Sequence, residues 1–306
     1  MGGRVTLTGA SGLIGRRLAD ELQRAGAQLT VLSREPQRAQ RRLGDVEALG
    51  WDPLAGPPPA AALEGRDAVV HLAGENVAQR WSERARRAIR ESRVTGTTHL
   101  VEALAELPGQ ARPRTLVSAS AVGYYGRHGN EPLDEEAPPG EGFLAEVCVE
   151  WERAAERAGE LGMRVVRVRT GVVLDRSGGA LAKMLPSFRL GIGGPVAGGG
   201  QFVPWIHAED VAGIYRAAIE DERWSGAVNA TAPTPVSNRQ FSHALGRALR
   251  RPALLPVPGL ALRALYGEMA EIVTGGARVM PARPLMLGYE YRHAELDEAL
   301  RSALHS

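Results

Sequence analysis

Three glycines spaced three residues apart, Gly9, Gly12 and Gly15, interrupt an apolar run that starts at Val5 and then continues with helical periodicity. A strand that turns straight into a helix through such glycines leaves few folds open. Gly9 permits the tight turn, Gly12 lets backbone approach a ligand with no Cβ in the way, and Gly15 lets the helix pack close to its strand. The segment Gly9-Ala10-Ser11-Gly12-Leu13-Ile14-Gly15 therefore reads as a dinucleotide phosphate cradle, with the anion facing the unpaired N–H groups of the new helix.

The pattern beyond the cradle alternates. Helical spacing over 14–25 closes at Gly26, and an apolar strand follows over 29–32. A short strand is expected over 48–51, a strongly apolar one over 68–72, a long helix over 83–107 and a strand over 115–117. A helix over 146–161 then leads to a strand over 164–168, which 171–174 extends. Strand and helix in alternation argue for an α/β fold with a doubly wound, Rossmann-type parallel sheet. From Asp175 onward glycines and prolines loosen the pattern, leaving helices near 183–190, 210–219, 238–249, 260–273 and 295–304. With 306 residues and 44% hydrophobic content, the chain can bury a full core and a smaller attachment. The expected division is a cofactor domain over 1–175, to which 203–230 returns, and a mostly helical substrate lobe over 176–202 and 231–306.

A formal net charge of +2 is mild and gives no reason to expect nucleic acid as a partner. No apolar stretch reaches the length of a membrane span, and a strand starting by Arg4 leaves no room for a secretory signal. A cytoplasmic protein is expected, with neither membrane nor nucleic acid among its partners. Cys148 is the only cysteine, which excludes an intrachain disulfide and a thiolate metal site. The seven histidines show no spacing suited to a metal, so none is expected.

The second strand ends in Ser33-Arg34, where folds of this kind meet the adenosine ribose. An acidic residue there would bind the 2′-hydroxyl of NAD and repel a 2′-phosphate. A serine and an arginine favour NADP instead.

These residues, in this order, resemble an extended short-chain dehydrogenase/reductase of the NAD-dependent epimerase/dehydratase type. Leu72-Ala73-Gly74 fits its second cofactor loop, Arg93-Val94-Thr95-Gly96-Thr97 its helix signature with arginine for asparagine, and Ser118 to Gly126 its serine and Tyr-Gly segment. More narrowly, Gly74-Glu75-Asn76, Ser92-Arg93, Pro204-Trp205-Ile206-His207 and the tail from Leu255 look like the atypical epimerase-like branch, with its C-terminal domain of unresolved function. The resemblance places Glu75, Arg93 and Val173 beside the cofactor, with Arg93 holding a phosphate or ribose. A homodimer through two long helices is common among superfamily members.

Catalysis in that superfamily uses Tyr-x-x-x-Lys on the helix after the serine strand. Here the helix reads Phe143-Leu144-Ala145-Glu146-Val147-Cys148-Val149-Glu150-Trp151-Glu152, with neither residue. Lys183 is the only lysine and has Gly179 four residues before it, so the motif is absent from the whole chain. Ser120 matches the substrate-polarising serine and reads either as a donor to a carbonyl or as a strand-end serine bonding backbone. Tyr124 and Tyr125 read as replacement phenols or as pocket wall, and His207 as a frame for the substrate pocket or as structure. Cys148 reads as packing. Two functions follow. One is an NADP-dependent oxidoreductase or epimerase-like enzyme acting on a small carbonyl or hydroxyl compound between sheet and lobe, with Trp205, Arg189 and Lys183 near the cleft. By family analogy that compound is a nucleotide sugar. The other is a non-catalytic NADPH-binding sensor.

Overall fold

In the computed structural model, which describes residues 3–305, strands and helices alternate from the first strand onward. Strand β1 (Arg4–Thr8) enters the glycine turn and helix α1 (Leu13–Arg24), which stops before Gly26, left-handed at φ 81°. Next come β2 (Gln28–Ser33), α2 (Pro36–Leu43), β3 (Glu47–Gly50), β4 (Ala68–His71) and the long α3 (Glu83–Glu106). β5 (Thr115–Ala121), β6 (Pro132–Leu133), α4 (Phe143–Glu156) and β7 (Arg164–Thr170) complete the first part. The second part runs through β8 (Val172–Leu174), α5 (Gly179–Arg189), β9 (Phe202–Val203), β10 (Trp205–His207), α6 (Ala208–Glu220) and β11 (Gly226–Ala230). Beyond it lie β12 (Val236–Ser237), α7 (Asn238–Leu249), α8 (Gly259–Tyr266), α9 (Glu271–Thr274), β13 (Arg278–Val279), α10 (Ala282–Met286) and α11 (Leu296–His305).

A seven-stranded parallel sheet in the order β11-β7-β5-β4-β1-β2-β3 forms the centre. Both of its faces are covered, which is why its inner strands read as near-continuous apolar runs. Val5, Leu7, Val70, Val117 and Val166 pack on one side against Leu18 and Leu22 of α1 and Val211 and Ile214 of α6. On the other side Leu32, Val69 and Leu116 meet Leu100 and Leu104 of α3 and Ala155 of α4. The chain reverses direction between β1 and β4, and an open sheet binds ligands in the crevice at such a switch point. A separate core joins α5, α7 and α11 through Leu181, Leu185, Phe188, Phe241, Leu245 and Leu300. Among the described residues no helix is long and apolar enough to cross a membrane.

Local patterning misjudges three segments. Residues 171–174 do not extend β7: Gly171 N–H bonds to Ala230, and β8 then pairs in parallel with β10 in a second small sheet. A Cβ at Gly171 would stand 2.2 Å from the Pro204 carbonyl oxygen, so the crossing between sheets needs glycine there. The single helix expected over 260–273 is broken by Gly267, left-handed at φ 62°, into α8, a short 3-10 turn and α9. Edge strand β11 carries no alternation in sequence, because Gly226-Ala227-Val228-Asn229-Ala230 is nearly all small or buried.

Candidate functional site

A cleft of about 270 Å³ opens at the carboxyl ends of β1, β2, β3 and β4. Gly9, Ala10, Ser11 and Gly12 form one wall and Leu72, Ala73, Gly74 and Glu75 the facing one, with Ser33 and Arg34 at the rim. The two glycine-bearing loops meet backbone to backbone: a Cβ on Gly9, whose φ is +67°, would lie 2.6 Å from the Leu72 carbonyl carbon. Gly15 is equally confined, since a Cβ there would lie 2.3 Å from the Gly9 carbonyl oxygen. Helix α1 begins at Gly12 with no side-chain cap and no acidic residue in its first turn. Its orphan N–H groups and dipole are thus left for an anion. Arg34 is exposed and, among the described residues, ion-paired with no carboxylate, while neighbouring Glu35 is held by Arg38 at 2.8 Å. This is a cradle suited to a dinucleotide phosphate beside a free guanidinium.

The wall is pinned from beneath. Thr8 Oγ1 accepts N–H groups from Leu72 and Ala73, both at 3.1 Å, so its own proton goes to His71 Nδ1 at 2.8 Å. His71 is fully buried, and burial pushes its pKa down to about 4. Because the folded value lies below the unfolded one of 6.5, this stabilisation is present above pH 6.5 and is lost as pH falls toward 4. About 3 kcal/mol is expected over that window, at about 1.4 kcal/mol for each pH unit crossed. Urea midpoints at several pH values should show the loss in the unaltered chain and a shallower slope in His71→Asn. Equal slopes would contradict the assignment.

Ser92 Oγ accepts from Glu75 N–H at 2.9 Å, and Arg93 Nη1 donates to the Glu75 and Ile89 carbonyls at 3.0 and 3.2 Å. The Arg93 guanidinium also stacks over Trp151, 5.1 Å from the ring centroid. Arg93 therefore holds the Gly74-Glu75 loop through the Glu75 carbonyl, with its guanidinium behind Gly74. Leu13 packs beside Gly178 and Gly179, near the Val173 carbonyl, and Ile14 joins the core below the loop.

Two of the expected catalytic hydroxyls are committed elsewhere. Ser120 Oγ donates to Glu152 Oε1 at 2.6 Å, which uses its only proton. Glu152 in turn accepts a two-pronged pair from Arg169, Nε to Oε1 at 2.8 Å and Nη2 to Oε2 at 2.9 Å, and a further bond from Arg167. Tyr125 is sealed: its hydroxyl sits 2.7 Å from Asn229 Oδ1 and 2.9 Å from the Asp134 carbonyl, and accepts from Arg169 Nη1 at 2.9 Å. Burial raises its pKa to about 12. A phenol so placed is a core strut and cannot exchange protons with a ligand. Tyr124 remains half-buried, with Arg169 stacked 3.5 Å above its ring. Cys148 is buried, and burial first, then Glu152, raises its thiol to about 12, in keeping with packing. Trp205 is a core residue of the lobe rather than part of a cleft, Arg189 is exposed, and Lys183 Nζ reaches across to the Ala78 carbonyl at 2.7 Å. His207 caps α6 by accepting from Glu209 N–H.

Sequence reasoning passes over part of the cleft: Leu32, Trp51, Asp52, Pro53, Leu54, Ala88 and Ser92 also line it. The loop after β3 carries most of these, and its place at a strand's carboxyl end was the available signal. Residues 5–230 match the model of the NAD dependent epimerase/dehydratase family.

The chain belongs to that family.

Residues 257–303 match a second model, a domain of unknown function, DUF1731. An epimerase family protein of Mycobacterium tuberculosis, MT2273, is 42% identical over 298 residues, covering 97% of this chain and 96% of that one. The crystal structure of the human epimerase family protein SDR39U1, isoform 2, with NADPH superposes with a TM-score of 0.88 at 36% identity, over 99% of both chains. That of a nucleoside-diphosphate sugar epimerase from Corynebacterium glutamicum gives 0.78 at 36% identity, over 99% of this chain and 58% of the other.

Proposed function

We propose that the cleft binds NADP(H) and that the protein is an NADP-dependent oxidoreductase or epimerase-like enzyme for a small carbonyl or hydroxyl compound. The observation that carries the cofactor is the pairing of an uncapped α1 with a rim Arg34 that is ion-paired with no carboxylate among the described residues. Gly9 to Gly12 would hold the pyrophosphate, Ser33 and Arg34 the 2′-phosphate, and the Trp51 to Leu54 loop the adenosine end. The relative solved with NADPH supports this choice. Arg34→Ala should weaken NADPH binding by about tenfold or more, the scale of a charge-assisted phosphate contact, and leave NADH unchanged. Calorimetric titration of both cofactors reads this, and equal weakening would contradict it.

A bound NADP(H) supplies hydride transfer. The chain's own residues must then manage the proton without Tyr-x-x-x-Lys. Ser120 has no free proton to polarise a carbonyl, and Tyr125 is closed off, which leaves Tyr124 as the phenol able to serve. Arg169 stacks over its ring at 3.5 Å, which holds the phenol in place. The substrate side is formed by the lobe, and a nucleotide sugar is the class that family analogy suggests. The commitment of Ser120 to Glu152 also favours a second reading, a non-catalytic NADPH sensor. Purified protein with NADPH and a panel of aldehydes, ketones and quinones separates the two. Turnover that falls about a hundredfold in Tyr124→Phe supports the enzyme. Tight binding with no turnover across the panel supports the sensor.

A further inference from the structure

Apart from the residues that line the cleft, β10, the first turn of α6, the tail before α11 and the first turn of α11 bring two histidines and two glutamates together. One ligand atom each from His207, Glu209 and His293 lies within 4.8 Å of the others. His207 is 1% exposed, and its Nε2 is buried without a hydrogen-bond partner. An orphaned ring nitrogen in a dry site is costly, and a native fold that keeps one calls for an explanation. The His207 and His293 rings lie close together, with centroids 3.7 Å apart and planes tilted by 43°.

The second histidine is oriented as a ligand would be. His293 Nδ1 lies 2.9 and 3.0 Å from the two Glu298 carboxylate oxygens, which fixes the ring and turns Nε2 toward Glu209 Oε2 at 3.2 Å. A carboxylate on the outer nitrogen of an imidazole is the usual support of a metal-binding histidine. Two ligand atoms each about 2.1 Å from one tetrahedral ion lie about 3.4 Å apart, close to the Nε2 to Oε2 separation found here. Asp210 anchors the same segment by accepting the Arg292 and His293 N–H groups at 2.7 and 3.0 Å.

We propose that His207 Nε2, Glu209 and His293 Nε2 bind one divalent transition-metal ion of the zinc class, with Glu298 holding His293 and water completing the shell. Two imidazoles and a carboxylate suit such an ion, and the charges of Glu209 and Glu298 balance it. Coordination places the His207 proton on Nδ1, so the 3.2 Å cap bond from Glu209 N–H is given up. The ion would clip the start of α6 to the tail that leads into α11. Sequence spacing could not reveal the cluster, since Glu209 and His293 stand 84 positions apart.

The test uses the full chain without an affinity tag, stripped with chelator and titrated with zinc chloride by calorimetry, with metal analysis after gel filtration. One equivalent of zinc with a raised melting temperature is expected. His293→Ala should abolish retention, Glu298→Gln should weaken it by about tenfold or more, and His243→Ala should leave it intact. NADPH binding by each variant reports whether it has folded. Zinc uptake that is absent from the unaltered chain, or equal in it and in a folded His293→Ala, would overturn the proposal.

Discussion

Arg169→Met is expected to destabilise the protein by about 3–5 kcal/mol, the usual effect of removing one partner from a buried ion pair. Arg169 and Glu152 have side chains only 3% and 4% exposed, and the guanidinium meets both carboxylate oxygens. Burial alone would lower the arginine's pKa, but the bonds and charge of Glu152 outweigh it and raise it. Without Arg169, the Glu152 carboxylate keeps only Ser120 and Arg167, and Tyr125 loses a donor. Urea unfolding should therefore show a large shift in midpoint, partly recovered in the double variant Arg169→Met/Glu152→Leu, which removes the stranded charge. A loss below about 1 kcal/mol would contradict the view that this network, and not catalysis, occupies Ser120 and Tyr125.

Gly9→Ala is expected to abolish NADPH binding. Its Cβ would stand 2.6 Å from the Leu72 carbonyl carbon and 2.7 Å from its oxygen, at a residue held at φ +67°. The left-handed conformation alone costs on the order of 1–3 kcal/mol for a side chain. The close approach adds a displacement of the two loops that form the cradle, so affinity should fall by a hundredfold or more, on the order of 3 kcal/mol. Gly26→Ala separates the two causes, because Gly26 has φ +81° with nothing within 4 Å of its added Cβ. That variant should lose some stability and keep its affinity. If both variants bound NADPH like the unaltered chain, the cradle would be misplaced.

What was legible in the chain was local. Glycine spacing marks the turn after β1 because the turn itself needs those glycines, and apolar runs mark inner strands because both sheet faces are covered. The same logic places Leu72 to Glu75 and Ser33-Arg34 at strand ends around one cleft. The roles that depend on distant partners were not legible. Ser120 reads as a donor to substrate or as a strand-end serine until α4 brings Glu152, itself held by Arg169 of β7, to its hydroxyl. That Arg93 lies behind Gly74 and bonds the Glu75 carbonyl depends on a partner 18 positions away. Trp51 to Leu54 carries no motif, only a position after a strand, and Gly171 looks like a continuing strand because its clash with Pro204 belongs to another element.

The most direct test of the account is a calorimetric titration of the unaltered chain with NADPH and with NADH under the same conditions. An uncapped helix start and an Arg34 that pairs with no carboxylate among the described residues, with Glu35 held by Arg38, predict that NADPH binds at least about tenfold more tightly. Equal affinities, a preference for NADH, or no binding of either would contradict it.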